Sequence, residues 1–232
     1  RPGANFNCAK KSELSIMLNP YPWQQSQWQQ LESAYLQDRM SHALLLSGIE
    51  GIGLEQFAYS LAARLLCQDV NENSLACGTC KPCLLFQAGN HPDFVNIEPE
   101  DKGKQIKVDS IRSLVDFMQM KSHYAAYKVA VINLAEAMNR SAANSLLKTL
   151  EEPPANSLLI LLTVQPSLLP ITIRSRCQQL QFTPVQGGEG LSWLQSRLGE
   201  DESKASDLLA MAQGGPLRAL NMLDSGGLQQ QM

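Results

Sequence analysis

Four sets of residues have types and spacings that could do chemistry. The first lies in LLLSGIEGIGLEQFA, residues 44–58, where an apolar run leads into a glycine-rich turn and an amphipathic segment. Counted from Gly48, the phosphate-cradling pattern G-x-x-x-x-G-K-[ST] requires glycine at position 53, and Gly53 is there, with Gly51 between. The next two positions should hold the lysine that reaches the terminal phosphates and the hydroxyl that holds magnesium. They are Leu54 and Glu55. That exchange removes the cationic clamp, and Glu50 and Glu55 add negative charge where phosphates would sit, so weak or no nucleotide binding and no hydrolysis are expected. A plain strand-to-helix turn is the competing explanation of the same glycines. The second set bears on that choice. In a phosphate-loop ATPase a later strand ends in an acid that organises magnesium, often followed by a glutamate that orients water. The strand VAVIN ends at Asn133 and Leu134, so both acids are missing. Losses at both halves of one site favour a degenerate nucleotide site over a chance turn.

The third set is Cys67, Cys77, Cys80 and Cys83, with nine, two and two residues between them. Four thiolates can close a tetrahedral zinc shell, and a C-x-x-C-x-x-C knuckle suits it; unligated thiols are the alternative. A complete shell leaves no open position for water, so such a zinc is structural. Cys8 and Cys177 stand outside the cluster. The fourth set is the triplet Ser175-Arg176-Cys177. An exposed arginine after the last strand of an ATPase-like core could reach a neighbour's site and stabilise a transferring phosphoryl group, or it could be an ordinary ion-paired surface arginine. His42, His91 and His123 lack a nucleophile-base-orienter pattern. Glu151 and Glu152 are expected to close a helix before Pro153 and Pro154.

These groups need elements to hold them. Helical spacing marks Trp28, Leu31, Ala34 and Tyr35, then EQFAYSLAARLLC, VDSIRSLVDFMQM with Asp109 as its cap, and SAANSLLKTLEE. HALLLSG, HPDFVNIEPE, KVAVINLAE and SLLILLTV read as strands between them. Strands joined by helical crossovers predict an α/β parallel sheet with helices on both faces. Strands cease from about Thr183, after which helices near Leu191–Leu198 and Lys204–Met211, then the turn QGGPLRALNML, predict a small all-α second domain. Residues 1–16 lack periodicity and are expected to be an extension outside the fold; Met17 is a plausible natural start.

The 232 residues, 44% hydrophobic and 18% charged, suffice for one large or two modest cores. A net charge of -3 gives no whole-chain attraction to nucleic acid. Lys102, Lys104 and Lys107 form a small basic patch, but Glu98, Glu100, Asp101 and Asp109 surround it. No apolar stretch is long enough to span a bilayer and no secretory leader opens the chain, which predicts a soluble cytoplasmic protein without a membrane partner.

HALLLSGIEGIG, the cysteine knuckle followed by QAGNHPDF, IKVDSIR, SAANSLLKTLEEPP and TIRSRC together resemble the bacterial clamp-loader family of DNA polymerase III, over about residues 17–225. The resemblance implies an AAA+ P-loop-type core over 17–182 with a zinc module at about 67–83, and a helical lid over 183–232. A C-terminal collar domain, which in the family holds five subunits in a ring, is expected to be missing from this chain. The lost lysine and acids separate the chain from the ATP-hydrolysing gamma and tau members, which share the zinc module. The resemblance further implies a non-hydrolysing scaffold, or stator, within a DNA-directed DNA polymerase complex. Its implied partners are gamma or tau and delta in a hetero-pentamer and, through them, the sliding clamp and primed DNA. Arg176 would be the arginine finger given to a neighbouring ATPase subunit, and Arg218 in GGPLRAL would sit where relatives carry a lid sensor arginine. Two other functions stay open: an ATPase of this fold with unconventional ligands, and a zinc-dependent nucleic-acid-binding module.

Overall fold

The computed structural model describes residues 19–101, 103–124, 127–198 and 202–229. Its five strands are β1 (Ala43–Gly48), β2 (Phe94–Ile97), β3 (Lys128–Ile132), β4 (Ser157–Thr163) and β5 (Gln178–Phe182). They pair in parallel throughout, in the order β2-β3-β4-β1-β5, with Leu45 opposite both Leu161 and Gln179. Because every pair is parallel, Gly48, Ile97, Ile132 and Thr163 all end at one edge of the sheet. That edge is where open α/β sheets bind ligands.

The helices are α1 (Gln25–Leu36), α2 (Leu54–Leu66), α3 (Lys81–Gln87), α4 (Val108–Gln119), α5 (Arg140–Glu151), α6 (Ile171–Arg174), α7 (Glu189–Leu198), α8 (Glu202–Met211) and α9 (Pro216–Gln229). The two-residue period of the strands sorts the core into two layers. Leu44, Leu46, Val129, Val131, Ile160 and Leu162 pack with α1, α2 and Phe86 of α3 on one face. Ala43, Leu45, Ala130, Ile132, Leu159 and Leu161 pack with α4 and α5 on the other. Central strands buried on both faces read as unbroken apolar runs, which is why β1, β3 and β4 are visible in the sequence. Leu194, Ala205, Leu209, Ala212 and Ala219 form a separate small core in the C-terminal helices. No described helix is long and apolar enough to cross a membrane.

Four details differ from the sequence reading. QQLQF forms the edge strand β5, burying only Leu180 and Phe182, so its polar residues mask it in a search for apolar runs. KPCLLFQ forms α3 immediately behind the cysteine knuckle. QGGPLRALNML is not a turn: Gly214, at φ +83°, makes the bend, and Pro216 opens α9. Asp109 does not cap α4; Lys107 occupies that position, and Asp109 lies in the first turn, 3.2 Å from Arg112. The expected extension over residues 1–16, like Lys102, lies outside the described residues.

Candidate functional site

The loop after β1 is packed against the chain's own groups, which contact its glycines and carbonyls. Gly53 is left-handed at φ +87°, and a Cβ there would come within 2.6 Å of the Tyr21 ring. Gly51, at φ +79°, lies so close to α9 that a Cβ would sit 2.5 Å from the Arg218 nitrogen. The Leu217 N–H donates to the Gly51 carbonyl at 3.0 Å. Trp23 Nε1 and Gln24 Nε2 both donate to the Ile52 carbonyl at 3.0 Å, and Gln24 Nε2 also reaches the Gly53 carbonyl at 2.9 Å. Tyr21 and Trp23 stack with ring centroids 4.6 Å apart, and Trp193 of α7 meets both edge-on at 5.5 and 5.2 Å. The loop is thereby tied to the segment preceding α1 and to the C-terminal helices. Arg218 belongs to that contact: its backbone and Cβ press on Gly51.

Glu55 lies in the first turn of α2, where the positive end of the helix dipole favours an anion. Asn133, directly after β3, donates through Nδ2 to Glu55 Oε1 at 3.0 Å, with the Tyr59 hydroxyl and Asn96 Oδ1 each 3.4 Å from the same nitrogen. The two positions that would share a magnesium ion in a working site are thus hydrogen-bonded to each other. Burial, then the Glu55 charge, pushes the Tyr59 hydroxyl well above its ordinary range, keeping it a neutral donor. The adjoining cavity, about 360 Å³, is bordered by Leu54, Glu55, Glu98, Asp101, Asn133, Leu134 and Thr163. A lining with three carboxylates suits a triphosphate poorly, because like charges repel across it.

The four cysteines of the knuckle do converge. Their sulfurs all lie within 4.8 Å of one another, with Cys67 to Cys80 at 3.9 Å and Cys77 to Cys83 at 4.0 Å. Tetrahedral zinc with bonds of about 2.3 Å sets its sulfurs about 3.8 Å apart, whereas a disulfide needs about 2.05 Å. The arrangement can therefore hold a metal ion and is not a pair of disulfides. The Cys80 and Thr79 N–H groups both point at the Cys77 sulfur and lower its pKa to about 6, as a knuckle does for a thiolate ligand. Cys177 is buried elsewhere, its thiol pushed up to about 12 by desolvation, while Cys8 lies outside the described residues.

Arg176 sits on a different part of the surface from the loop. The short helix α6 turns the chain back after β4, Cys177 plugs into the second core layer, and Arg176 before it is partly exposed. Arg176 Nη1 donates to the Thr172 carbonyl at 2.9 Å, and Nη2 lies 2.7 Å from Glu151 Oε1 at the end of α5. Sequence reasoning assigned Glu151 only to helix termination. A whole strand and a helix separate the two residues along the chain, which leaves no local pattern to find.

Asp93 is fully buried and receives the backbone N–H groups of His123 and Tyr124, with Lys128 Nζ at 3.4 Å. Burial alone would raise its pKa, but those donors outweigh it and hold the carboxyl below its usual range. His91 Nδ1 accepts the Asp93 N–H at 3.0 Å, and desolvation lowers the imidazole to about 4. Both residues brace the turn into β2. Of the basic patch, Lys104 pairs with Asp101, and Lys107 Nζ lies 3.0 Å from Glu100.

A family model described as DNA polymerase III, delta subunit, matches residues 23–186. The DNA polymerase III subunit delta' of Pseudomonas aeruginosa is 43% identical over 92% of this chain and 64% of its own length. The Escherichia coli subunit of the same name is 32% identical over 90% of this chain and 62% of its own length. The chain thus spans a little under two thirds of these relatives. Among solved structures, a DNA polymerase III gamma subunit-related protein of Thermotoga maritima superposes with a TM-score of 0.58 at 21% identity, over 83% of this chain and 58% of that one. The RuvB Holliday junction branch migration motor of the same organism gives 0.56 at 14% identity, over 86% and 58%. At such identities these two speak for the fold, an AAA+-like core followed by helices. With its family model matched across the whole sheet, the chain belongs to the family described as DNA polymerase III, delta subunit, and along nine tenths of its length it aligns with relatives named delta'.

Proposed function

We propose that this chain is a non-hydrolysing clamp-loader subunit, a stator that supports ATP turnover in a neighbouring subunit and supplies Arg176 to it in trans. The observation that carries this is the hydrogen bond between Glu55 and Asn133, which joins the two would-be magnesium positions beside a loop that has Leu54 in place of the clamping lysine. ATP is not expected to bind. Arg176, by contrast, keeps a third of its side chain open to solvent, available to a partner. Its role is to place a guanidinium beside the phosphoryl group during transfer, where charge spreads over the equatorial oxygens. The proposed partners are gamma or tau ATPase subunits and delta in a hetero-pentamer, acting on the sliding clamp at primed DNA, in the cytoplasm. Zinc on Cys67, Cys77, Cys80 and Cys83 serves structure, pinning the excursion between α2 and β2.

The test is reconstitution of the full-length protein with its ATPase relatives, comparing DNA-stimulated hydrolysis with Arg176 intact and with Arg176→Ala. Arginines acting in trans on a phosphoryl group are worth about a thousandfold or more, so a loss of that order is expected in the affected site's turnover. An unchanged rate rules the role out. The two alternatives gain no support from the site. The lysine-poor loop lacks a phosphate clamp, and Lys104 and Lys107 are neutralised by carboxylates.

A further inference from the structure

The ion pair between Arg176 and Glu151 is poorly explained as a stabilising contact. Glu151 is the last residue of α5 and is followed by Glu152, so two carboxylates crowd the helix end whose dipole disfavours negative charge. The pair's side chains are 36% and 52% exposed, and pairs so open to water contribute little to folding. A charge that breaks the local helix rule without a return in stability is commonly retained for positioning.

The geometry supports such a role. Arg176 is approached on two sides, by the Thr172 carbonyl at Nη1 and by Glu151 Oε1 at Nη2. A planar fork held at two of its nitrogens has its plane fixed, and its remaining N–H donors stay free for another acceptor. The anchors come from separate elements, α6 and the end of α5, each seated on the second core layer through Ile173 and Leu150. We infer that Glu151 is a positioning residue for Arg176: its carboxylate holds the guanidinium, before assembly and during turnover, in the orientation that meets the neighbour's transferring phosphoryl group. The inference rests on the trans-acting role proposed for Arg176. It converts part of the cost of ordering a long side chain into a cost already met in the free subunit.

The test uses the full-length protein assembled with its ATPase partner subunits, in four forms: Glu151→Gln, Glu151→Asp, Arg176→Ala and the double variant Glu151→Gln with Arg176→Ala. Glu151→Gln is expected to lower DNA-stimulated kcat about threefold to tenfold with little change in KM for ATP, because orientation and not nucleotide binding is lost. Glu151→Asp, which keeps the charge on a shorter arm, should recover part of that loss. The double variant should be no slower than Arg176→Ala alone, since Glu151 acts only through the arginine. An unchanged or raised kcat in Glu151→Gln overturns the inference; a raised one identifies Glu151 as a competitor of the phosphoryl group instead. An equal loss from Glu151→Gln in the Arg176→Ala background overturns it as well, marking a merely structural effect. If Arg176→Ala itself leaves the rate untouched, the underlying trans role fails and Glu151 falls with it, an outcome distinct from the others.

Discussion

Replacing Asn133 by aspartate restores an acid where a working ATPase has one, and here it should destabilise the chain. Asn133 is 8% exposed, and its amide Nδ2 donates a hydrogen bond to Glu55 Oε1 at 3.0 Å. Asn133→Asp removes that donor, at about 1 kcal/mol, and sets two carboxylates facing each other across the same gap. Unit charges about 4 Å apart repel by about 4 kcal/mol at an effective dielectric of about 20, an upper figure, because Glu55 retains contact with water and one acid can take up a proton. A net loss of about 2–4 kcal/mol at about pH 8 follows, read by denaturant unfolding with the midpoint shifted and the slope unchanged. The loss should shrink as the pH is lowered toward about 5 and one carboxylate is protonated. Adding Glu55→Gln should recover most of it at the higher pH, since the new amide can donate to the introduced carboxylate. An Asn133→Asp variant within about 0.5 kcal/mol of the parent, or a double variant no better than the single, would refute the account of the site as a closed hydrogen-bond network.

Acid should weaken the fold before carboxylates in general titrate. His91 is held neutral down to about pH 4, whereas in the unfolded chain it binds a proton near pH 6.5, so its contribution is complete above 6.5 and is lost as pH falls toward 4. The integral is about 3 kcal/mol, to which the depressed Asp93 adds a further loss at lower pH. Unfolding free energy measured from about pH 7.5 to about pH 4.5 should fall, and His91→Asn should flatten that slope; a level parent curve over that range would exclude the mechanism. For the knuckle, the purified protein should carry one zinc per chain by elemental analysis. Cys77→Ser should lose it and leave the excursion open to protease while the sheet keeps its circular dichroism, and full zinc retention in that variant would rule out the four-cysteine shell.

The parallel sheet was legible because its three central strands are apolar on both faces, and β5 was not, because at the edge only alternate residues are buried. The glycine loop, the missing lysine, the absent acids and the cysteine spacing each occupy a few adjacent positions, so their chemistry could be read from local pattern. What escaped is non-local. Glu55 meets Asn133 across 78 positions, and Trp23 meets Trp193 through the packing of distant segments. No periodicity encodes such pairs. The functional weight of Glu151 was hidden for a related reason: a glutamate before Pro153 has a sufficient local explanation as a helix end, and only the fold brings Arg176 to it.

The same contacts account for the glycines of the loop after β1. Neither Gly51 nor Gly53 tolerates a Cβ: α9 occupies the space over one and Tyr21 the space over the other. Both also sit at positive φ, where a side chain costs roughly 1–3 kcal/mol. The loop therefore has a packing reason to keep its shape that is independent of any ligand. Where two parts of a chain meet at the ligand edge of such a sheet, a bound nucleotide could bridge them. Here the bridge is the chain itself: the Gly51 carbonyl to the Leu217 N–H, and the stacked Tyr21 and Trp23 against Trp193. Contacts of that kind form without a ligand, so folding by itself joins the two parts. That is the mechanical property the proposed stator needs, and it gives the loop a reason to keep its shape that does not depend on a lysine at position 54.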